Sequence, residues 1–371
     1  MMSDTIRTAA NTKVQDACSL NGQPLSNRTI KDIIESYTDG LGLAAEVTKS
    51  GLDFRTKFIS EHESYRSIKG TEIRVCHNLQ ECQDHEAIEI DCYIHGLGGN
   101  LEQFEPLLRL DDISGRYFIS MDLPGFGKSQ DCTNYDMNMI TDTIHCTWKN
   151  IIKDTTNDSS ELSNCKINII GHSMGCYIAL HIFQNLSQEQ PDINSLILMA
   201  PPKINIPELR KGYTLTQFGL YTLSLCPAIF DYYRTKFDQS KGLQSSGIRD
   251  FFHNNDSNDI NLLYRKLWQY QNNIQIKSRS IIGYLRNWEP LNWDVINETV
   301  SMYRDSHRLR IVILGGDDDH ITPYEGVQQF FDAFTDNKDK TLECLKDCGH
   351  NICFDTPEKI CSIFQDEIFQ K

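Results

Sequence analysis

Lys166-Ile167-Asn168-Ile169-Ile170-Gly171-His172-Ser173-Met174-Gly175-Cys176-Tyr177-Ile178-Ala179-Leu180 is an apolar run of β-forming residues that breaks at Gly171 and resumes with helical character after Gly175. The pattern predicts a strand, a tight turn and a helix, with one serine at the tip. Side chains at the two flanking positions would collide with the strand or the helix, so glycine stands there and the serine hydroxyl is held exposed. The first N–H groups of the following helix lack intrahelical partners, and with the helix dipole they favour negative charge developing beside Ser173. Ser173 is therefore a candidate nucleophile. Taken alone, the Gly-x-Ser-x-Gly spacing also describes a glycine-flanked surface loop, so the flanking chain has to decide.

Upstream, residues 87–94 alternate in strand fashion and run into His95-Gly96-Leu97-Gly98-Gly99-Asn100, with helical character over 101–110. Residues 117–122 read as another strand, closed by the obligatory loop Leu123-Pro124-Gly125-Phe126-Gly127-Lys128-Ser129. Met139, Ile140, Ile144, Trp148, Ile151 and Ile152 then recur at helical spacing. Downstream, the helix that begins beyond Ser173 runs to about residue 188 and is followed by a strand over 195–199. This alternation predicts a mostly parallel sheet with helices on both faces, whose sites lie beyond the carboxyl ends of the strands. Gly96, Asp122 and Ser173 each fall at such an end. The glycine-rich loop at 95–100 has neither the Gly-Lys-Ser/Thr ending of a phosphate loop nor the spacing of a dinucleotide site. The alternative is a backbone N–H, that of Leu97, aimed at the site opposite Ser173 as half of an oxyanion hole. His95 is expected to be a structural, hydrogen-bonding histidine.

The ends of the chain read differently. Residues 1–27 are polar and patternless, and 29–43 form a helix closed by Gly40-Leu41-Gly42 and packed on the outside of the main domain. Residues 54–59 and 71–77 alternate as the antiparallel opening of a mixed sheet. From 203 to 307 the strand and glycine alternation disappears in favour of helix-like stretches dense in aromatics, among them Phe251, Trp268, Tyr284, Trp288 and Trp293. An insertion of this length is more than a loop, and it reads as a helical cap whose aromatics pack its core and roof an apolar pocket. The sheet pattern returns at 309–314 and 341–345, before a closing helix at about 357–369. The expected organisation is an N-terminal extension (1–69), a first core part (70–202), the cap (203–307) and a second core part (308–371).

The totals bound the function. A 39% hydrophobic content is ordinary for a globular chain, and a net charge of −15 argues against nucleic acid and against an anionic membrane held by charge alone. There is no apolar stretch of spanning length and no secretory leader pattern. The thirteen cysteines are odd in number and several stand inside apparent strands and helices, which points to free thiols in a reducing compartment. The expected location is cytoplasmic, with a mitochondrial site or a lipid-droplet surface as alternatives. Cys76, His77, Cys82 and His85 fit no structural zinc spacing well, and reading Cys344, Cys348, His350 and Cys353 as metal ligands would make the glycine-flanked serine a coincidence, so no metal or cofactor is expected.

Three strand ends supply a serine, an acidic cluster and a histidine in that order. Ser173 needs a base, His350 is the candidate, and a carboxylate must orient the imidazole and stabilise its charged form. Asp319 is the choice, with Asp317 and Asp318 open as loop caps or as the partner. Here the chain resembles the α/β-hydrolase superfamily over roughly residues 70–371. The matching motifs are His95-Gly96-Leu97-Gly98-Gly99, Asp122 to Ser129, Gly171-His172-Ser173-Met174-Gly175, Gly316-Asp317-Asp318-Asp319 through Pro323, and Gly349-His350. The resemblance implies the α/β-hydrolase fold, aligns Asp319 with the triad acid, and implies oxyanion donors at the N–H groups of Leu97 and Met174. A serine at the turn argues against the epoxide-hydrolase and dehalogenase branches, which place aspartate there.

The expected activity is hydrolysis of a carboxylic ester or thioester with an apolar acyl or aryl part. The substrate is a small-molecule ester or a lipid, and contact with a lipid surface is transient. His350-Asn351-Ile352-Cys353-Phe354-Asp355 is also similar to a lipid-metabolising branch with acyltransferase activity on lysophospholipids. An acyltransferase using an alcohol or lysolipid acceptor is thus the alternative, although Asp355 also reads as a cap of the last helix. A non-catalytic lipid-binding or scaffold protein has no need of Ser173, Asp319 and His350.

Overall fold

The computed structural model describes residues 30–37, 39–50, 54–79, 88–156, 165–186, 192–209, 214–253, 260–306, 309–335 and 339–369. The N-terminal tail, Cys82, His85 and Tyr213 lie outside these. Eight strands make one sheet: β1 Glu63–Ile68, β2 Thr71–His77, β3 Glu89–Ile94, β4 Tyr117–Met121, β5 Lys166–His172, β6 Asp192–Met199, β7 Arg310–Gly316 and β8 Lys340–Leu345. Their order is β1-β2-β4-β3-β5-β6-β7-β8. The β1–β2 and β2–β4 pairs are antiparallel, and every pair from β4–β3 to β7–β8 is parallel.

The central strands are apolar at nearly every position because helices cover both faces. Alternate residues feed two cores: Ile167, Ile169, Leu196, Leu198, Ile311 and Ile313 face one side, with Trp148 and Tyr177. Ile170, Ile197, Met199, Val312 and Leu314 face the other, with Phe104, Leu107 and Ile360. Helices Met137–Thr156 and Met174–Leu186 pack on the first side, and helices Glu105–Ile113 and Pro357–Ile363 on the second. All strand ends that carry site residues therefore open on one edge.

Between β6 and β7 the chain makes a long helical excursion. It includes helices Thr214–Leu225, Pro227–Tyr233, Ile260–Gln275, Ser278–Arg286 and Trp293–Ser306, and no strand occurs among its described residues. The last of these packs on helix Met174–Leu186 and returns the chain to the amino end of β7.

The amino-terminal region departs from expectation in three ways. Residues 54–59 do not form a strand; the chain makes helix Lys57–His62, with the Thr56 Oγ1 accepting from the Ile59 N–H at 3.3 Å. Adjacent Phe58 and Ile59 are both buried, which a strand with a single buried face does not do. Strand β1 lies inside the stretch assigned to the extension; its sequence Glu-Ser-Tyr-Arg-Ser-Ile is that of a partly exposed edge. Gly40 starts a helix, Gly40–Ser50, after a separate one at Ile30–Ser36. A Cβ at Gly40 would stand 2.2 Å from the Gly242 nitrogen, so the glycine serves a close approach to the excursion. That helix packs on the excursion and not on the sheet: the Tyr270 hydroxyl donates to the Gly40 carbonyl at 2.7 Å, and Leu43, Val47 and Phe54 join Tyr264, Leu267 and Trp268 in one cluster.

Candidate active site

Strand β5 ends at His172 and helix Met174–Leu186 begins one residue later, which leaves Ser173 alone in the turn with φ 55°. That left-handed backbone is costly for a residue with a side chain, by about 1–2 kcal/mol. The turn is held because the Ser173 N–H donates to the Met199 carbonyl at 2.8 Å and its carbonyl accepts from the Cys176 N–H at 2.9 Å. The two glycines are required by their neighbours. A Cβ at Gly175 would sit 2.2 Å from the Ile94 carbonyl oxygen, and one at Gly171 would sit 2.7 Å from the Gly175 oxygen. Gly96 faces the serine itself, since a Cβ there would lie 2.8 Å from Ser173 Cβ and 3.3 Å from its Oγ.

Ser173 and His350 line one cavity of about 450 Å³, together with Leu97 and Met174. Met174 opens its helix, so its N–H has no intrahelical acceptor. Ile206, Leu209, Ile276, Ile281, Leu285 and Trp288 supply apolar wall, and Gln103, Gln269, Asn273 and Asn351 supply polar points. Of the aromatics expected as a roof, Trp268 and Trp288 line the cavity, and Phe251 stands edge-on to His350 with ring centroids 5.3 Å apart. A second cavity, about 460 Å³, lies between helix Gly40–Ser50, the loop at Gly127 and helix Ile260–Gln275, and Ser173 and His350 are not in its wall.

Behind His350, its Nδ1 lies 2.8 Å from Asp319 Oδ2, and both side chains are buried. Asp319 also accepts from the Thr322 hydroxyl at 2.6 Å on Oδ2, and from the N–H groups of Ile321 and Thr322, both at 2.8 Å, on Oδ1. Burial pushes its carboxyl pKa up, but the charge of His350 and the hydrogen bonds from His350 and Thr322 together hold it below the ordinary value. The neighbouring acids point elsewhere. Asp317 accepts from the Cys348 N–H at 3.3 Å, and Asp318 pairs with His253 Nδ1 at 2.8 Å. The five residues singled out from sequence, Ser173, Asp319, His350, Leu97 and Met174, thus converge on one place.

Thr322 and His172 support the site and were not singled out, while Asp122, His95 and Asp355 were noted for other reasons. Thr322 ties the acid to its own loop, and its signal was present as a hydroxyl three residues past Asp319. His172 shares its Nε2 proton with the His350 carbonyl at 2.9 Å, and burial, aided by the nearby His350 ring, pushes its pKa down to about 3. A carbonyl oxygen only accepts, so Nε2 is the donor in that bond. Asp122 accepts from the Leu101 N–H at 2.7 Å and, with Glu63 and Glu102, surrounds the buried Arg74 guanidinium at 2.8 to 3.3 Å. His95 acts structurally, its Nε2 accepting from the Leu123 N–H at 2.8 Å. Asp355 does not cap the last helix: its Oδ2 accepts from the N–H groups of Gly349 at 2.7 Å and His253 at 3.0 Å, which braces the loop carrying His350.

Residues 92–357 match the model of the alpha/beta hydrolase fold family. The chain is 37% identical over 359 residues to Lipid droplet hydrolase 1 of Saccharomyces cerevisiae, covering 93% of this chain and 94% of that protein. Among solved structures it is similar to an esterase from Exiguobacterium antarcticum, with TM-score 0.57 and 20% identity over 82% of this chain and 98% of that one. It is also similar to esterase RhEst1 from Rhodococcus sp., with TM-score 0.55 and 14% identity over 83% and 99% of the two chains. None of the described helices is long and apolar enough to cross a membrane. The sheet order, the serine turn and the family match agree, and the chain belongs to the alpha/beta hydrolase fold family.

Proposed function

We propose that this chain is a serine hydrolase that cleaves a carboxylic ester or thioester with an apolar acyl or aryl part through an acyl-enzyme. The observation that carries this reading is Ser173 in a left-handed turn, sharing one mostly apolar cavity with a histidine whose Nδ1 is 2.8 Å from a buried aspartate. His350 Nε2 takes the hydroxyl proton as Ser173 Oγ attacks the acyl carbonyl. Asp319 keeps the other ring proton on Nδ1 and stabilises the imidazolium. The N–H groups of Leu97 and Met174 receive the oxyanion, and His350 returns the proton to the leaving alcohol. Water, deprotonated by the same ring, then attacks the acyl-enzyme and releases the acid.

In this reading residues 203–307 serve as a cap over a core formed by 70–202 and 308–371, and 1–69 are an extension whose last strand, β1, joins the sheet of that core. The relative named for lipid-droplet hydrolysis supports a lipid substrate and a place of work at a droplet surface. A fluorophosphonate probe is expected to label Ser173 in the parent protein, and Ser173→Ala and His350→Ala are expected to abolish labelling. Labelling that persists in Ser173→Ala overturns the nucleophile assignment. Product analysis with a lysolipid acceptor present separates hydrolysis from transfer, because a hydrolase continues to release free acid.

A further inference from the structure

The first part of the excursion, unlike the rest of it, carries its apolar residues on the outside. In helices Thr214–Leu225 and Pro227–Tyr233 and the following turn Arg234–Asp238, no side chain described between 215 and 237 is fully buried. Leu215, Phe218, Leu225, Ile229, Tyr232 and Phe237 are 58 to 79% exposed; Leu215, Phe218 and Leu225 are spaced by three and seven on one face of the first helix, and Ile229 and Tyr232 by three on the second. Helix Thr214–Leu225 has no charged residue at all. An ordinary surface helix turns such a stripe inward, and a contiguous apolar patch left in water marks an interaction surface.

We propose that this stripe is the docking surface for the phospholipid monolayer covering neutral lipid, and that it seats the cavity mouth against that surface. Three observations favour this occupant. The stripe is uncharged, yet cations stand at its margin: Lys236 is exposed, and Arg286 stacks over the Tyr221 ring at 5.1 Å and donates to Ser224 Oγ at 3.2 Å. An apolar face with tyrosines and basic residues at its rim matches the layering of acyl chains below phosphate headgroups. Asp231 falls between stripe positions 229 and 232, off the line of insertion. Second, the chain's net charge of −15 disfavours a strongly anionic membrane, so attachment rests on apolar insertion into a zwitterionic layer. Third, both helices pack on helix Ser278–Arg286, whose Ile281 and Leu285 line the cavity, and Arg234, next along the chain, lines it too. The docking face and the pocket wall are thus two sides of one thin layer, which suits an acyl chain passing from lipid to Ser173.

The inference rests on the hydrolase reading for its purpose, but its test does not. The full chain would be floated with triolein droplets coated in phosphatidylcholine, beside a variant carrying Phe218→Glu, Leu225→Glu and Ile229→Glu. None of these three side chains lines the cavity or is buried. Burying one such side chain is worth about tenfold or more in partitioning, so the variant is expected to bind at least about 100-fold more weakly. Ile113→Glu, at an exposed apolar position on another helix, is expected to float like the parent. All forms are expected to hydrolyse dissolved p-nitrophenyl butyrate at the same rate. Equal flotation of the triple variant overturns the proposal, as does a parent that does not float. A parent that forms a dimer split by the triple variant, with no droplet binding, also overturns it and assigns the stripe to a second copy. Absence of hydrolysis in every form refutes the catalytic reading alone, since flotation is read without turnover.

Discussion

Asp319→Asn isolates the electrostatic core of the site. In the parent, Asp319 Oδ1 accepts two backbone N–H bonds at 2.8 Å, while Oδ2 meets the Thr322 hydroxyl at 2.6 Å and His350 Nδ1 at 2.8 Å. An asparagine keeps its carbonyl oxygen on the two N–H donors, which fixes the amide orientation and puts –NH₂ toward Thr322 and His350. That group can only donate, so Nδ1 becomes an acceptor and the ring proton moves to Nε2. The nitrogen facing the cavity then carries a hydrogen and cannot take one from Ser173. Substitutions of this kind elsewhere have lowered kcat by about 10⁴, equivalent to about 5 kcal/mol of barrier. The side chain keeps its volume and most of its bonds, so the fold is expected to survive. The assay is kcat and KM for p-nitrophenyl butyrate, with circular dichroism to check the fold. A folded variant retaining more than a tenth of parental kcat would refute the role given to Asp319.

Two further predictions concern stability. Arg74→Met removes the guanidinium at the centre of a cluster of Glu63, Glu102 and Asp122, whose side chains are 0 to 10% exposed. Stranding buried carboxylates in this way is expected to cost about 3–5 kcal/mol in urea unfolding, with part regained by adding Glu102→Gln; a loss below about 1 kcal/mol would count against the cluster. The second concerns acid. His172 takes a proton only near pH 3 when folded but near its ordinary 6.5 when unfolded, so the unfolded chain holds more protons in between and stability falls as pH drops through that window. Asp319 acts in the same direction but only below its ordinary value of 3.8, because its folded pKa is depressed. The urea midpoint is expected to fall between pH 7 and pH 5, and to fall less in His172→Gln; an identical drop in both proteins would remove His172 from the account.

The strands that carry the oxyanion loop, the serine and the acid, β3, β5 and β7, were legible because each is an apolar run that ends at glycine, a pattern that survives whatever packs around it; β8, which leads to His350, is a partly exposed Lys-Thr-Leu-Glu-Cys-Leu and was found by its position in the alternation. The serine turn and the acid loop were readable in this way. What escaped depends on contacts distant in sequence. Nothing local distinguishes Gly40 as a helix start from Gly40 as a helix stop; its position is set by Gly242 across the interface. Phe54, Thr56 and Phe58 alternate as a strand would, but the Thr56 cap and the burial of Ile59 beside Phe58 favour a helical turn. Strand β1 is polar because it is an edge, and edges do not show the apolar run that identifies interior strands. Among the three adjacent aspartates, local sequence does not say which one turns toward the histidine, and the geometry separates them by giving Asp317 and Asp318 other partners. Likewise the aromatic content of the excursion was plain, but not that much of it faces outward.

The backbone at Ser173 has one more implication. Glycine would occupy its left-handed conformation without penalty, so the fold by itself would be better served by a residue with no hydroxyl. If Ser173 is the nucleophile proposed above, any optimisation that rewards only thermal resistance, whether in a laboratory or by computation, would drift toward an inert protein at this position.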